Sequence, residues 1–285
     1  GNMSVKRKQP ITIGTNPISI LLLGIENYSS GGKDGRADTQ ILVTLNPVSN
    51  KMTMTSIPRD TRVYLDQIGQ YNGYHKINAT YTYGSITNYG GSKLAIETVE
   101  NLLDIPIDKY IAVDFEGFRD IVDAFGGVTI DIKEGFWEEN IYDHNKRIYF
   151  EQGPTHLSGE EALAFVRMRK RPVNASYPRD ERQRQFIKSM IDEAISTDTL
   201  FKVNEISQII GDNVETNLKP AEMYNLQNDY RSIQSSNIET FHINGTEQWT
   251  NGLFYFVPNT EELKSLSKQL RRELELGEEG TIGPE

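Results

Sequence analysis

Apolar and polar positions recur along this chain with two periods, and each change from one to the other marks an element. Pro17–Ile25 is an almost unbroken apolar run, as in a strand buried on both faces. Thr39–Leu45 is rich in β-branched and aliphatic residues, and Lys51–Ile57 alternates Met52, Met54 and Ser56 with Thr53 and Thr55. Both read as strands, joined as a hairpin by the turn Asn46-Pro-Val-Ser-Asn50. A period near 3.6 takes over from Ser92 to Leu103, with Leu94, Val99, Leu102 and Leu103 on one face and Ser92 as the expected N-cap. Strand Ile107–Val113, helix Glu116–Phe125 closed by Gly126, and strand Val128–Ile132 follow. Ser158-Gly-Glu-Glu161 is a capping box opening another helix. Arg179–Ile195 carries Phe186, Ile187, Met190, Ile191 and Ala194 as a buried stripe. Further helices are expected near Lys202–Ile210, Pro220–Tyr230 and Glu261–Glu275, and a strand at Ile238–Ile243. Strands and helices interleave with no repeat or linker. That predicts an α/β fold over residues 17–275, a single domain whose mixed central β-sheet is flanked by helices on both faces. Residues 1–16 read as a tag remnant and N-terminal extension, and 276–285 as a flexible tail.

Charge adds what the pattern does not carry. The formal net charge is −10, so the protein as a whole repels nucleic acid, and any bound anion must be held by a local cluster of positive charge. One such cluster exists: Arg167–Arg184 holds seven basic residues against two acids. The absence of cysteine excludes disulfides, thiol nucleophiles and Cys-ligated zinc. The longest apolar run is far short of the roughly 18–20 residues that cross a bilayer, so a membrane anchor would lie upstream of this sequence. His75, His144, His156 and His242 are scattered without metal-ligand spacing, and no phosphate-loop, dinucleotide or nucleophile-elbow motif occurs.

The candidate chemistry collects at strand ends, where ligands gather in open α/β sheets. Leu21-Leu-Leu-Gly-Ile-Glu26 ends the first strand, Arg36-Ala-Asp-Thr39 begins the second, and Ile57-Pro-Arg-Asp-Thr61 ends the third. Arg179, Arg182 and Gln183 are spaced i, i+3, i+4 and share a helical face, and Arg167 and Arg169 lie two apart. Guanidinium forks match phosphate oxygens in a bidentate manner, and several together neutralise a diphosphate. Glu26 and Asp38 suit Mg2+, a hard cation that takes carboxylate and phosphate oxygens; equally, each can be paired with Arg36 or Arg59. Tyr64, Tyr71, Tyr74, Tyr81 and Tyr83 fit either a sugar-stacking loop or a packed cover over the sheet.

Seven ordered segments complete the reading: LLLGIE (21–26), RADTQILVTLNP (36–47), SIPRDTRV (56–63), KINATYTYG (76–84), AFGGVTIDI (124–132), LSGEEALAFVRMR (157–169) and RDERQRQ (179–185), with a weaker one at NGLFYFVP (251–258). In these the chain resembles the LytR–CpsA–Psr family. The resemblance implies a Mg2+-dependent (or Mn2+-dependent) phosphotransferase at the extracytoplasmic face of the membrane in mainly Gram-positive bacteria. Such an enzyme carries teichoic acid or capsular polysaccharide from a polyprenyl-diphosphate carrier to a peptidoglycan acceptor, is tethered by an N-terminal anchor, and has no nucleic-acid partner. It implies Glu26 and Asp38 on the metal side and Arg36, Arg59, Arg167, Arg169, Arg179 and Gln183 on the diphosphate side, with Asp38 and Arg59 as the catalytic pair. Arg182 is then as readily structural as substrate-binding. Glu26 stands where the family commonly has Asp, and Asp34 where many members have Arg. The helices after Ser92 and Glu116 are candidates to line the apolar tunnel the family uses for the prenyl tail. Two rival functions use the same residues: a polyprenyl-diphosphate hydrolase, and a non-catalytic lipid-diphosphate-binding regulator.

Overall fold

The computed structural model describes residues 3–27, 34–194, 208, 213–233 and 237–277, and these pack as two compact units. The first comprises Gly1–Asp114, Glu215–Ile233 and Asn237–Glu285. Its centre is a mixed sheet. Strand β1 (Ile18–Glu26) lies between β2 (Arg36–Asn46), antiparallel to it, and β6 (Lys109–Asp114), parallel. β3 (Lys51–Ser56) pairs antiparallel with β2, and β12 (Ile238–His242) pairs parallel with β3. With β11 (Val214–Thr216) on the far edge, the order among the described residues is β11-β6-β1-β2-β3-β12. This is the expected mixed α/β architecture. β2 starts three residues earlier than its hydrophobic pattern shows, so Arg36 and Asp38, expected where this strand begins, are part of it.

Both faces of β1–β3 are buried, which explains the unbroken apolar run in β1. On one face Leu21, Leu23, Ile25 and Leu42 pack with Leu94, Ala95, Val99 and Leu103 of α2 (Gly91–Leu103) and with Leu266 and Leu270 of α7 (Thr260–Glu273). Ile18, Ile20, Ile41, Val43, Met52 and Met54 are buried on the other. Each such side chain stabilises the fold by about 1.5–3 kcal/mol relative to exposure.

The expected N-cap of α2 is corrected: Gly90, at φ 117, precedes the helix, and Ser92 lies buried inside it. The reason is close packing. α1 (Ala79–Ile86) brings Gly84 so near Gly90 that a Cβ on Gly84 would sit 2.2 Å from the Gly90 carbonyl oxygen. Only glycine fits such an approach, and positive φ at Gly90 turns the chain into α2.

Two hairpins and one helix here have little hydrophobic period. β4 (Arg62–Leu65) and β5 (Gly73–Lys76) form an antiparallel hairpin, and β13 (Gly245–Thr250) forms another with β14 (Leu253–Pro258). α1 buries only Thr80 and Gly84 in full. The segment before β1 is held too: Ser4 donates to Glu100, Lys6 pairs with Asp104 at 3.1 Å, and Arg7 with Asp108 at 2.7 Å. The helix α6 (Pro220–Asp229) falls where expected.

The second unit comprises the described residues of Phe115–Val214. α3 (Phe115–Ala124), β7 (Val128–Ile132), α4 (Gly159–Arg167) and α5 (Arg179–Ala194) match the expected elements, and the capping box at Ser158 and Glu161 forms in both directions. β8 (Phe136–Glu139), β9 (Arg147–Phe150) and β10 (Gly153–Leu157) are additions to the expected set. Their core joins Val128, Ile130, Ile132, Phe150, Leu163, Phe165, Tyr177 and Phe186. In α5 the stripe Phe186, Ile187 and Met190 packs as expected, but Arg182, Gln183 and Arg184 are buried as well. The expected helix at Lys202–Ile210 lies outside the described residues apart from Gln208.

Candidate functional site

The first unit gathers Glu26, Arg36, Asp38 and Arg59 at one end of its sheet. Parallel pairing of β1 with β6 and of β3 with β12 sets the carboxyl ends of these strands on the same side, where β2 begins. A β-bulge then aims the key side chain. Gly24 opposes Thr39 and Ile25 opposes Ala37, so Asp38 is the extra residue on β2. Gly24 is required there, because a Cβ would stand 2.9 Å from that of Thr39.

The Asp38 carboxylate is only 6 % exposed. Its Oδ2 lies 3.0 Å from Arg59 Nη1 and 3.9 Å from Arg36 Nη2, and its Oδ1 accepts from Asn78 Nδ2 at 2.9 Å. Arg36 Nη2 is also 3.5 Å from Glu26 Oε2. A carboxylate this buried requires such partners. Arg36, at 46 % exposed, still presents its fork to solvent. Beyond Arg59, Asp60 lies 3.9 Å from its Nε and 3.1 Å from Lys76 Nζ.

Asn78 is the residue that the charge-based reading missed. Buried, it donates its side chain to Asp38 and its backbone N–H to Arg59 O at 3.1 Å, and its carbonyl accepts from Ala37 N at 3.0 Å. One asparagine thus ties β2, the Arg59 turn and the start of α1 together. The signal was its place inside KINATYTYG, where only the tyrosines were weighed. Asn78→Ala strips Asp38 Oδ1 of its donor at a buried site. An expected loss of about 1–3 kcal/mol should shift the urea midpoint without changing the slope.

The second unit holds the other predicted residues. Arg167 closes α4, its Nη2 donating to Glu139 O at 2.7 Å, while its buried Nε meets no acceptor among the described residues. A buried donor in that condition is a group that an oxyanion can satisfy. Met168, between Arg167 and Arg169, is buried, and Arg169 is exposed. Arg179, half-buried, opens α5, its N–H held by Asn174 Oδ1 at 2.9 Å. Gln183 Nε2 donates to Val166 O at 3.3 Å, beside Arg167.

Arg182 is structural. Fully buried, it donates Nε to Tyr177 O at 3.1 Å, Nη1 to Phe165 O, and Nη2 to Met168 O at 2.5 Å and Asn174 Oδ1 at 2.8 Å. Burial, and after it the neighbouring charge of Arg179, pushes its pKa down to about 10. The anion-binding face expected of Arg179, Arg182 and Gln183 is therefore corrected at Arg182, which is fully buried with four of its five N–H donors committed to protein oxygens.

Among the described residues no three of His, Asp and Glu converge as a ligand set. Glu26 and Asp38 do converge, at 3.5 and 3.9 Å from one Arg36 nitrogen. Two carboxylates completed by waters and substrate phosphates form a site suited to Mg2+, so the residues fit the ion. The alternative pairing of each with Arg36 or Arg59 is realised at the same time. Among the described residues no helix is long and apolar enough to cross a membrane.

Known proteins share this arrangement of segments. A Bacillus subtilis (strain 168) protein named polyisoprenyl-teichoic acid–peptidoglycan teichoic acid transferase TagV is 40% identical over 287 residues, covering 99% of this chain and 71% of its own length. The crystal structure of B. subtilis TagV superposes with a TM-score of 0.79 at 40% identity, over 92% of this chain and 99% of that one. A LytR-CPS2A-psr family protein, YwtF (TagT), solved with bound octaprenyl pyrophosphate lipid, superposes at 0.73 with 28% identity, covering 97% and 98%. The sequence model of the LytR_cpsA_psr family matches residues 2–272, and this chain belongs to that family.

Proposed function

We propose that this chain transfers an anionic glycopolymer, teichoic acid or capsular polysaccharide, from a polyprenyl-diphosphate carrier to peptidoglycan at the extracytoplasmic face of the cell envelope. Family membership and a relative that binds octaprenyl pyrophosphate support the substrate class. The observation that carries the chemistry is the cluster of Arg36 and Arg59 around the buried Asp38. It combines fixed donors for a diphosphate with a carboxylate that can orient an incoming hydroxyl.

In this reading an acceptor hydroxyl attacks the phosphorus nearer the polymer, the P–O bond to the polyprenyl phosphate breaks, and polyprenyl monophosphate leaves. The hydroxyl proton passes to solvent. A loose phosphoryl transition state needs little proton removal before attack, so positioning and charge stabilisation dominate. Arg36 and Arg59 bind the diphosphate, Arg59 meets the charge developing on the bridging oxygen, and Asp38 holds both Arg59 and the hydroxyl. In the second unit, Arg167, Arg169, Arg179 and Gln183 are the candidates for binding phosphate oxygens. Glu26 and Asp38 would hold Mg2+ or Mn2+, which supplies neutralising charge to phosphate oxygens when bound.

Supplying the donor with and without a peptidoglycan acceptor tests the transfer: polyprenyl monophosphate should form at a rate set by acceptor. A rate indifferent to acceptor identifies a hydrolase, and a stoichiometric complex without product a binding regulator. On the metal side, chelation should abolish turnover and Mg2+ restore it. Glu26→Gln should raise the Mg2+ concentration for half-maximal rate about ten-fold, the effect of losing about 1.4 kcal/mol at one ligand. An unchanged Mg2+ requirement removes Glu26 from the metal site.

A further inference from the structure

The five tyrosines grouped from sequence separate in the structure. Tyr81 and Tyr83 pack on the core of the first unit, whereas Tyr64 and Tyr74 stand 60% and 55% exposed on the β4–β5 hairpin. Directly opposite each other, their rings meet edge to face at 5.1 Å. Arg62 lies over the Tyr74 ring, its guanidinium carbon 3.8 Å from the centroid, and Lys76 is opposite Arg62 on the same outer face.

The surface continues onto the second hairpin, because β14 joins β4 through the Thr61–Phe256 bridge and Phe256 N donates to Asp60 O at 2.9 Å. There Trp249, 74% exposed, meets Phe254 at 5.4 Å, and Lys76 Nζ is 5.7 Å from the Phe254 ring. One end of this surface is the candidate site itself. Lys76 pairs with Asp60, Asp60 faces Arg59, and Arg59 holds Asp38.

We propose that the outer face of the two hairpins, Tyr64, Tyr74 and Trp249 with Arg62, Lys76 and Asp60, is a docking platform for the glycan strand of the acceptor. Exposed rings stack on the apolar C–H faces of pyranoses, and the flanking guanidinium, ammonium and carboxylate groups bond their hydroxyl and amide substituents. Exposed aromatics also mark membrane interfaces. Here charged groups of both signs interleave with the rings, Leu253 is the exposed aliphatic beside them, and a net charge of −10 opposes anionic lipid. Continuity with Arg59 favours a substrate that must reach the same phosphorus. The inference rests on the transfer reading, since it assigns a place to that reaction's acceptor.

The test uses Trp249 as reporter. Trp137, the other tryptophan, lies between Arg147 and Arg171, and Trp137→Phe preserves a ring there. In that background, titration with soluble, uncrosslinked peptidoglycan glycan strands should give a saturable change in emission. Tyr64→Ala/Tyr74→Ala should weaken it about ten-fold, as expected for two lost stacking partners. The same pair should raise KM for acceptor and leave binding of the lipid-diphosphate donor, measured without acceptor, unchanged. No saturable response, equal binding by the double variant, or a response to phosphatidylglycerol vesicles in place of glycan overturns the platform. Failure of the wild-type protein to bind donor overturns the transfer reading instead, since the glycan titration needs no turnover.

Discussion

Arg59→Ala should reduce transfer from a lipid-diphosphate donor by about 10²–10³-fold, the usual cost of removing one preorganised donor to developing charge. The residue is placed for that task by the chain on either side of it. Pro58 and Asp60 hold the turn that follows β3, with Thr61 N and Oγ1 both donating to Pro58 O, and Asn78 N fixing the Arg59 carbonyl. The guanidinium is thus presented rigidly, with Nη1 on Asp38 and the side chain still 21 % exposed toward a ligand. Arg59→Lys keeps the charge but loses the planar fork, so an intermediate loss of about ten-fold is expected. The loss should fall on kcat more than on donor affinity, since Arg36 remains to bind ground-state phosphate. Equal falls in folded fraction and rate would reassign Arg59 to holding Asp38 in place. Retention of transfer within a factor of three would remove it from the reaction.

How much of this was legible beforehand depended on what each feature is made of. Strands β1, β3 and β7 and helices α2, α3, α4, α5 and α7 are built on apolar periods or explicit capping residues, and these can be read from a string. The hairpins β4–β5 and β13–β14 and helix α1 were missed because few of their side chains are fully buried. What holds them is backbone pairing and the Gly84–Gly90 approach, which leave no period. The site divides in the same way. Arg36, Asp38 and Arg59 were visible as charges at strand ends, and the family segments selected them too. The bulge that singles out Asp38 depends on strand register, which no sequence pattern within β2 encodes. Asn78 works through one side-chain and two backbone hydrogen bonds to residues distant in sequence, so neither charge nor hydropathy revealed it.

Arg182→Met should destabilise the second unit by about 3–5 kcal/mol, the cost of leaving several buried acceptors without their donor at roughly 1–3 kcal/mol each. The reason lies at the end of α4. Its last carbonyls have no partner within the helix, and a helix C-terminus concentrates negative potential. Arg182 answers both needs: Nη1 reaches Phe165 O, Nη2 reaches Met168 O, and Nε reaches Tyr177 O just ahead of α5. Gln183 takes Val166 O alongside. Basic residues that look from sequence like a solvated or anion-binding face are therefore partly the cap joining two helices. Methionine matches arginine roughly in volume but leaves these oxygens and Asn174 Oδ1 without the donor, so the loss comes from orphaned acceptors rather than from a cavity. Urea titration followed by circular dichroism should show the lower midpoint. Arg179→Met, at a half-buried position one turn earlier, removes none of these cap hydrogen bonds and should lower the midpoint less than Arg182→Met does. The same Arg179 variant should weaken donor binding, because it removes a guanidinium beside Arg182 without touching the cap. If the two variants exchange these behaviours, with Arg182 tolerant and Arg179 structural, the division of roles along the first turns of α5 is wrong.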